Sequence, residues 1–305
     1  MTQFKKNSDF WYHVAAFAMI MVWGISFLNT RVLLDAGLTP TEIFVARFTI
    51  AYISLLAIGR FKVRFTGWRD ELLFVVCGIA GGSAYFIAEN TALELTLISD
   101  VAVLVSIAPL TTALMGAIFY RDERITLLTG VGMVIAFLGS VLLALKDGFV
   151  WGDSVLGDVL AMLAAFVWAF YSMALKKLNK SYSTLFITRK LFFYGVLSAL
   201  PLLAWQDTHM DWDILKQPPV WGNLLYLGLI CSMAAYFIWG ITVKRIGAVR
   251  ASNYFYLSPI ISMIAAAIWF GERTNAVAYA GCALILAGVI IAEKFKRNPN
   301  EAKPN

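Results

Sequence analysis

Charge is scarce in this 305-residue chain: Asp, Glu, Lys and Arg make up 14% of it, against about 25% in a soluble domain. With 60% of residues apolar and a mean hydropathy of +0.74, that shortage excludes a soluble globular protein. Histidine is scarcer still. His13 and His209 are the only two and lie at or outside the edges of the apolar runs. Neither a histidine-rich zinc site nor a Ser/His dyad built on Ser83 of the Gly81-Gly82-Ser83 run can be assembled inside those runs. No Gly-x-x-x-x-Gly-Lys-Ser/Thr loop occurs, so ATP is not bound by that device. No enzyme chemistry, metal or other cofactor is expected. The three cysteines, Cys77, Cys231 and Cys282, sit within apolar runs as small apolar residues, and their odd number suits no disulfide framework. The net charge of +6 does not point to nucleic acid, because the basic residues are scattered through short gaps instead of clustering on one face.

What is present is a series of long apolar runs. A bilayer core of about 30 Å takes roughly 20 residues of helix, and ten candidate spans follow from hydropathy: 14–34, 43–58, 72–92, 101–119, 127–145, 159–178, 184–205, 220–243, 251–270 and 276–292. The first is too long for a signal-peptide core and lacks a small-residue cleavage pattern after it, so it reads as a retained helix. The fold class expected is an all-α polytopic membrane protein. Orientation follows from Lys and Arg, which stay cytoplasmic. With the amino terminus inside, the inner segments hold Lys5, Lys6, Arg60, Lys62, Arg64, Arg69, Arg121, Arg124, Lys176, Lys177, Lys180, Lys244, Arg245, Arg250, Lys294, Lys296, Arg297 and Lys303. The outer loops hold only Lys146, Lys216 and Arg273. Both termini are therefore expected in the cytoplasm, in the plasma (inner) membrane. Arg31, Arg47, Arg189 and Lys190 fall within spans.

The second half repeats the first. Phe44, Arg47 and Tyr52 match Phe186, Arg189 and Tyr194; Ala84-Tyr85-Phe86 matches Ala235-Tyr236-Phe237; Pro109 matches Pro259; Gly132 and Gly139 match Gly281 and Gly288. The order is kept, which divides the chain into repeats at 1–145 and 146–305. Five spans per repeat is an odd number, so the second copy enters the membrane from the opposite side. Inverted repeats of this kind recur in secondary transporters, with the substrate site near the midplane where the halves meet.

The Trp23-Gly24-x-x-Phe27 run, the Arg early in span two, the prolines in spans four and nine, Gly271-Glu272-Arg273 and the spaced glycines of spans five and ten together resemble the drug/metabolite transporter superfamily, in particular its EamA-domain family. The resemblance covers nearly the whole chain. It implies ten helices with both ends cytoplasmic, and a central cavity lined by spans one, three, four, six, eight and nine, with five and ten peripheral. It also implies export of small metabolites, in many members amino acids. Two departures stand out. The first repeat reads Arg121-Asp122-Glu123-Arg124 where the second reads Gly271-Glu272-Arg273, and Tyr171 and Ser172 follow Trp168 where Gly24 and Ser26 follow Trp23.

Candidate cavity residues are those with a polar handle on the cavity spans: Trp23, Ser26, Asn29, Tyr85, Asn90, Ser106, Trp168, Tyr171, Tyr236, Asn253 and Tyr256. Arg47 and Arg189 are expected to serve as structural anchors or ion-pair partners, with substrate contact as the alternative. Glu89 has Gly240 as its repeat counterpart. It is expected to pair with Arg31 or Arg47 and help close an outer gate, with proton coupling as the alternative. Pro109 and Pro259 are expected to kink their helices and free the carbonyls of Val105 and Phe255, as hinges or as static bends. Gly78, Gly82 and the glycine pairs of spans five and ten read as close packing with no chemistry. The expected partners are a small-molecule substrate and the lipid bilayer, and the rival to a carrier is a channel or scaffold. Aromatic richness leans towards amino acids.

Overall fold

The computed structural model describes residues 2–58, 64–120, 126–145, 154–206, 212–270 and 275–294, and every regular element among them is helical. The first half runs α1 (Thr2–Asp35), α2 (Pro40–Ile58), α3 (Trp68–Gly78), a π-helical stretch Ile79–Ser83, α4 (Ala84–Leu95), α5 (Ile98–Val105), α6 (Ala108–Phe119) and α7 (Leu127–Ala144). The second half runs α8 (Val155–Leu178), α9 (Thr184–Trp205), the short α10 (Trp212–Leu215), α11 (Pro218–Leu225), a π-helical stretch Tyr226–Ala234, α12 (Ala235–Ile246), α13 (Ala248–Ser252), a 3₁₀ stretch Asn253–Leu257, α14 (Ser258–Phe270) and α15 (Ala276–Lys294).

Local sequence sets the starts. Thr39 and Glu42 form a capping box ahead of α2: the Thr39 N–H donates to Glu42 Oε2 at 2.8 Å and the Glu42 N–H to Thr39 Oγ1 at 3.3 Å. Pro40 takes the first helical position, where no N–H is needed. Thr126, Ser154 and Ser183 cap α7, α8 and α9, each side chain accepting from the N–H three residues on.

Seven helical stretches among the described residues are long and apolar enough to cross a membrane, and Leu127–Leu143 and Ala276–Ala292 are shorter apolar helices. The run at 251–270 yields no single long helix, because the 3₁₀ turn divides it between α13 and α14. The outer surface is greasy: Ile53, Ile118, Ile268 and Ile290 are 60–71% exposed, a surface suited to lipid. Trp68, at the start of α3, and Trp205, at the end of α9, are exposed at helix ends, where indole rings favour the membrane interface.

Equivalent helices of the two halves meet in one seam. A Cβ on Gly132 would lie 2.7 Å from the Gly288 carbonyl oxygen, and one on Gly139 would lie 2.8 Å from that of Gly281. The reverse contacts are as tight, so α7 and α15 pack antiparallel with backbones touching, which only glycine permits.

Candidate functional site

Between the halves, side chains of α1, α4, α5, α8, α12, the 3₁₀ turn and α14 wall a cleft. Its lining is Ile20, Trp23, Ser26, Phe27, Tyr85, Phe86, Glu89, Val105, Trp168, Tyr236, Phe255 and Ser258. All the space between these walls, mouth included, is about 390 Å³. The part wide enough for water is far smaller, because the rings nearly close it.

Trp23 is the hub of the ring cluster. Its ring centroid lies 5.6 Å from that of Trp168, 5.8 Å from Tyr236, 5.2 Å from Trp239 and 5.7 Å from Phe255. Phe255 stacks on it and the others meet it edge to face, the arrangements that ring quadrupoles favour. Two hydrogen bonds fix the cluster across the repeats. The Trp23 indole N–H donates to the Cys231 carbonyl at 2.8 Å, and the Tyr236 hydroxyl donates to the Gly81 carbonyl at 2.6 Å. Both acceptors lie in π-helical stretches, which break the regular backbone ladder and are frequent at functional sites. Each half thus pins a ring of the other.

Among the residues singled out from sequence, the structure brings Trp23, Ser26, Tyr85, Trp168, Tyr236 and Glu89 together on the cleft wall. The others lie outside it. Asn29 donates to Asn223 Oδ1 at 2.5 Å, Asn90 to the Pro40 carbonyl at 3.2 Å and Ser106 to the Val103 carbonyl at 2.6 Å. Tyr171 forms a second layer, 4.7 Å from Trp168 and against Gly81. Asn253 and Tyr256 are buried in packing. The register explains the last pair: in the 3₁₀ turn it is Phe255, between the two polar-handled tyrosines, that reaches the cleft. Phe27, Phe86 and Val105 were missed because a cavity wall and a core are equally apolar in sequence. Ser258, beside Pro259, carried the one polar signal that could have found it.

Two expectations need correction. Pro109 and Pro259 interrupt their spans at helix starts and do not kink an unbroken helix: Pro109 is the second residue of α6, after a break at Ser106 and Ile107 within the stretch 100–119, and Pro259 is the second residue of α14 after the 3₁₀ turn. At a helix start the missing N–H would have had no partner in any case. Glu89 forms no ion pair. Its Oε1 accepts from the Tyr85 hydroxyl at 2.6 Å, and none of the ion pairs among the described residues includes it. Arg31 instead pairs with Asp35 at 2.9 Å and donates to the Leu93 carbonyl at 3.0 Å. Arg47 donates from Nε to Ser232 Oγ at 3.0 Å and lies over the Phe86 ring, 4.2 Å from its centroid. The side chain is buried, at 1% exposure. Arg189 donates to the Leu55 carbonyl from Nε at 3.2 Å and Nη2 at 2.7 Å, near the end of α2 where carbonyls lack helical partners.

The buried ion pair is a different one. Glu71, in the first turn of α3, binds Lys190 and the Tyr194 hydroxyl of α9 and accepts from the Thr66 N–H at 3.2 Å and Oγ1 at 3.0 Å. The Lys190 ammonium also lies 5.0 Å from the Phe74 ring centroid and 5.4 Å from that of Phe186. Beside it, the Tyr182 hydroxyl donates to Asp70 Oδ2 at 2.5 Å, and that bond holds the phenol above its ordinary pKa. Both contacts join the halves.

Residues 10–145 and 155–293 each match the EamA-like transporter family. The chain belongs to that family. Several EamA relatives align with nearly its full length. A protein of Streptantibioticus cattleyicolor named "Probable terminal-alkyne amino-acid exporter" is 29% identical, over 90% of this chain and 91% of its own. A Salmonella typhimurium protein named "Probable amino-acid metabolite efflux pump" is 26% identical, over 90% and 92%. A solved structure titled "Crystal structure of protein" shares the fold, with a TM-score of 0.75 and 20% identity over 94% of this chain and 98% of its own. With its apolar helices, this EamA chain is a multi-pass membrane protein. The segments Arg121-Asp122-Glu123-Arg124 and Gly271-Glu272-Arg273, where the two EamA copies differ, lie outside the described residues.

Proposed function

We propose that the chain is a secondary carrier with ten membrane spans in two inverted five-span repeats, both termini cytoplasmic in the plasma membrane. It exports small metabolites such as amino acids by alternating access around the aromatic cleft. The observation that carries this reading is the cleft itself: it is walled by both repeats, bonded reciprocally across them, and set where spans three, four, eight and nine leave regular α-helix. The antiparallel glycine seam of α7 and α15 supports the inverted relation, because equivalent spans of inverted repeats must run in opposite directions.

In this orientation the Glu71–Lys190–Tyr194 and Asp70–Tyr182 contacts lie towards the cytoplasmic ends of α3 and α9 and hold the halves together there. Opening inwards requires their release, and opening outwards requires the rings around Trp23 to separate. The names of the two relatives support export of amino-acid-like compounds. Reconstituted vesicles preloaded with single unlabelled amino acids test the proposal. Saturable accumulation of the labelled form by counterflow is the expected result. Unsaturable flux assigns a channel instead, and no flux for any of them assigns a scaffold.

A further inference from the structure

Glu89 is 4% exposed, yet it lines the cleft. One carboxylate oxygen takes the Tyr85 hydroxyl, and the other has no hydrogen-bond partner among the described residues. Arg47, the cation that acts on it electrostatically, is held by Ser232 and Phe86 and makes no ion pair with it. A desolvated carboxylate with one neutral hydrogen bond lacks the compensation that buried charges need. The walls around it are ring faces and edges from Trp23, Tyr85, Phe86 and Trp168, with Tyr85 5.1 Å from Trp168. Aromatic rings attract ammonium groups by their quadrupoles, most strongly where water is excluded. The second repeat has no such group: at the equivalent position Gly240 leaves room only for Thr184, whose Cγ2 a Cβ would meet at 2.5 Å. Among the lining residues Glu89 is thus the one carboxyl, and it sits in one half of the cleft.

The geometry points to Glu89, with the surrounding rings, as the receptor for an ammonium group, so that what the cleft takes is an amine-bearing molecule. This rests on the carrier reading and names the chemistry its site selects. A zwitterionic amino acid and a simple amine share that group, and matched probes separate them.

Calorimetry on the full chain in detergent would use phenethylamine, phenylalanine, 2-phenylethanol and 3-phenylpropanoate. Phenethylamine should bind at least about tenfold tighter than the alcohol and the anion, a difference of about 1.4 kcal/mol. Glu89→Gln should erase that preference while leaving 2-phenylethanol within about twofold, and Glu94→Gln, exposed on the same helix, should change neither. Phenylalanine binding as well as phenethylamine assigns the zwitterion, and phenethylamine alone assigns simple amines. Equal binding of amine and alcohol, no amine binding by the unaltered chain, or an amine affinity untouched by Glu89→Gln overturns the assignment. Should Glu89→Gln not fold, modification of Glu89 by a hydrophobic carbodiimide in the unaltered chain decides. Protection by phenethylamine but not by 2-phenylethanol is expected, and equal or absent protection overturns the proposal. Counterflow that persists after such a result would leave the carrier reading intact.

Discussion

Replacing Lys190 or Glu71 removes one member of a buried ion pair, and the two replacements should not cost the same. Breaking such a pair from one side costs about 3–5 kcal/mol, because the remaining charge is left uncompensated. The pair sits in the first turn of α3, near the edge of the apolar stretch that begins at Trp68, so the lower part of that range applies. After Lys190→Met, Glu71 still accepts from the Thr66 N–H, the Thr66 hydroxyl and the Tyr194 hydroxyl. Three donors should hold the loss to about 2 kcal/mol. After Glu71→Ala, an ammonium that is 3% exposed keeps, among the described residues, the rings of Phe74, Phe186 and Tyr194. Ring faces give about 1–2 kcal/mol, so the loss should reach about 3 kcal/mol. In a double-mutant cycle followed by thermal unfolding in detergent, the double variant should lose about 2 kcal/mol less than the sum of the singles, within the 0.5–3 kcal/mol that contacting residues show. Additive losses, or Glu71→Ala as stable as the unaltered chain, would refute the argument.

Other perturbations follow from the same geometry. Gly288→Val places a side chain against the backbone of Ala136; since a backbone cannot rotate away, folded yield by size-exclusion chromatography should collapse, whereas Gly222→Ala, with open space around it, should be neutral. Arg189→Met strips two charged donors from the Leu55 carbonyl and should cost about 1.5–3 kcal/mol in thermal unfolding. Tyr236→Phe leaves the Gly81 carbonyl without its 2.6 Å donor and should lower stability by about 1–3 kcal/mol. Trp23→Cys and Trp168→Cys should react with small water-soluble thiol reagents in at least one transport state, and persistent inertness of both would count against a cleft that opens.

Apolar length and glycine spacing were the most legible features. Gly132, Gly139, Gly281 and Gly288 announce their seam because a backbone contact tolerates nothing larger. Trp23 and Trp168 were legible as a repeat-related pair, and they meet at 5.6 Å. The π-helical stretches were not, since Ala80-Gly81-Gly82 and Cys231-Ser232 differ in composition and share only a backbone geometry. Apolar wall residues such as Phe86 and Phe255 carry no mark that separates them from core. Glu71 escaped notice because a carboxylate at the edge of an apolar run reads as an interfacial charge, and its partner Lys190 lies 119 residues away in the other half. Glu89 was legible as an anomaly but its surroundings were not: proximity in depth to Arg31 and Arg47 suggested pairing, while Asp35 and Ser232 hold those two arginines.

The central claim is that one cleft is reached from each side of the membrane in turn. Ser26 lines it and is small enough that a cysteine there disturbs little. In a background lacking Cys77, Cys231 and Cys282, oriented vesicles carrying Ser26→Cys would be exposed to a membrane-impermeant thiol reagent from one face at a time. Alternating access predicts labelling from either face, with the rate from one face falling as substrate draws the protein to the other. Labelling from both faces at undiminished rates would contradict it in favour of a channel, and no labelling from either face would contradict it in favour of a closed scaffold.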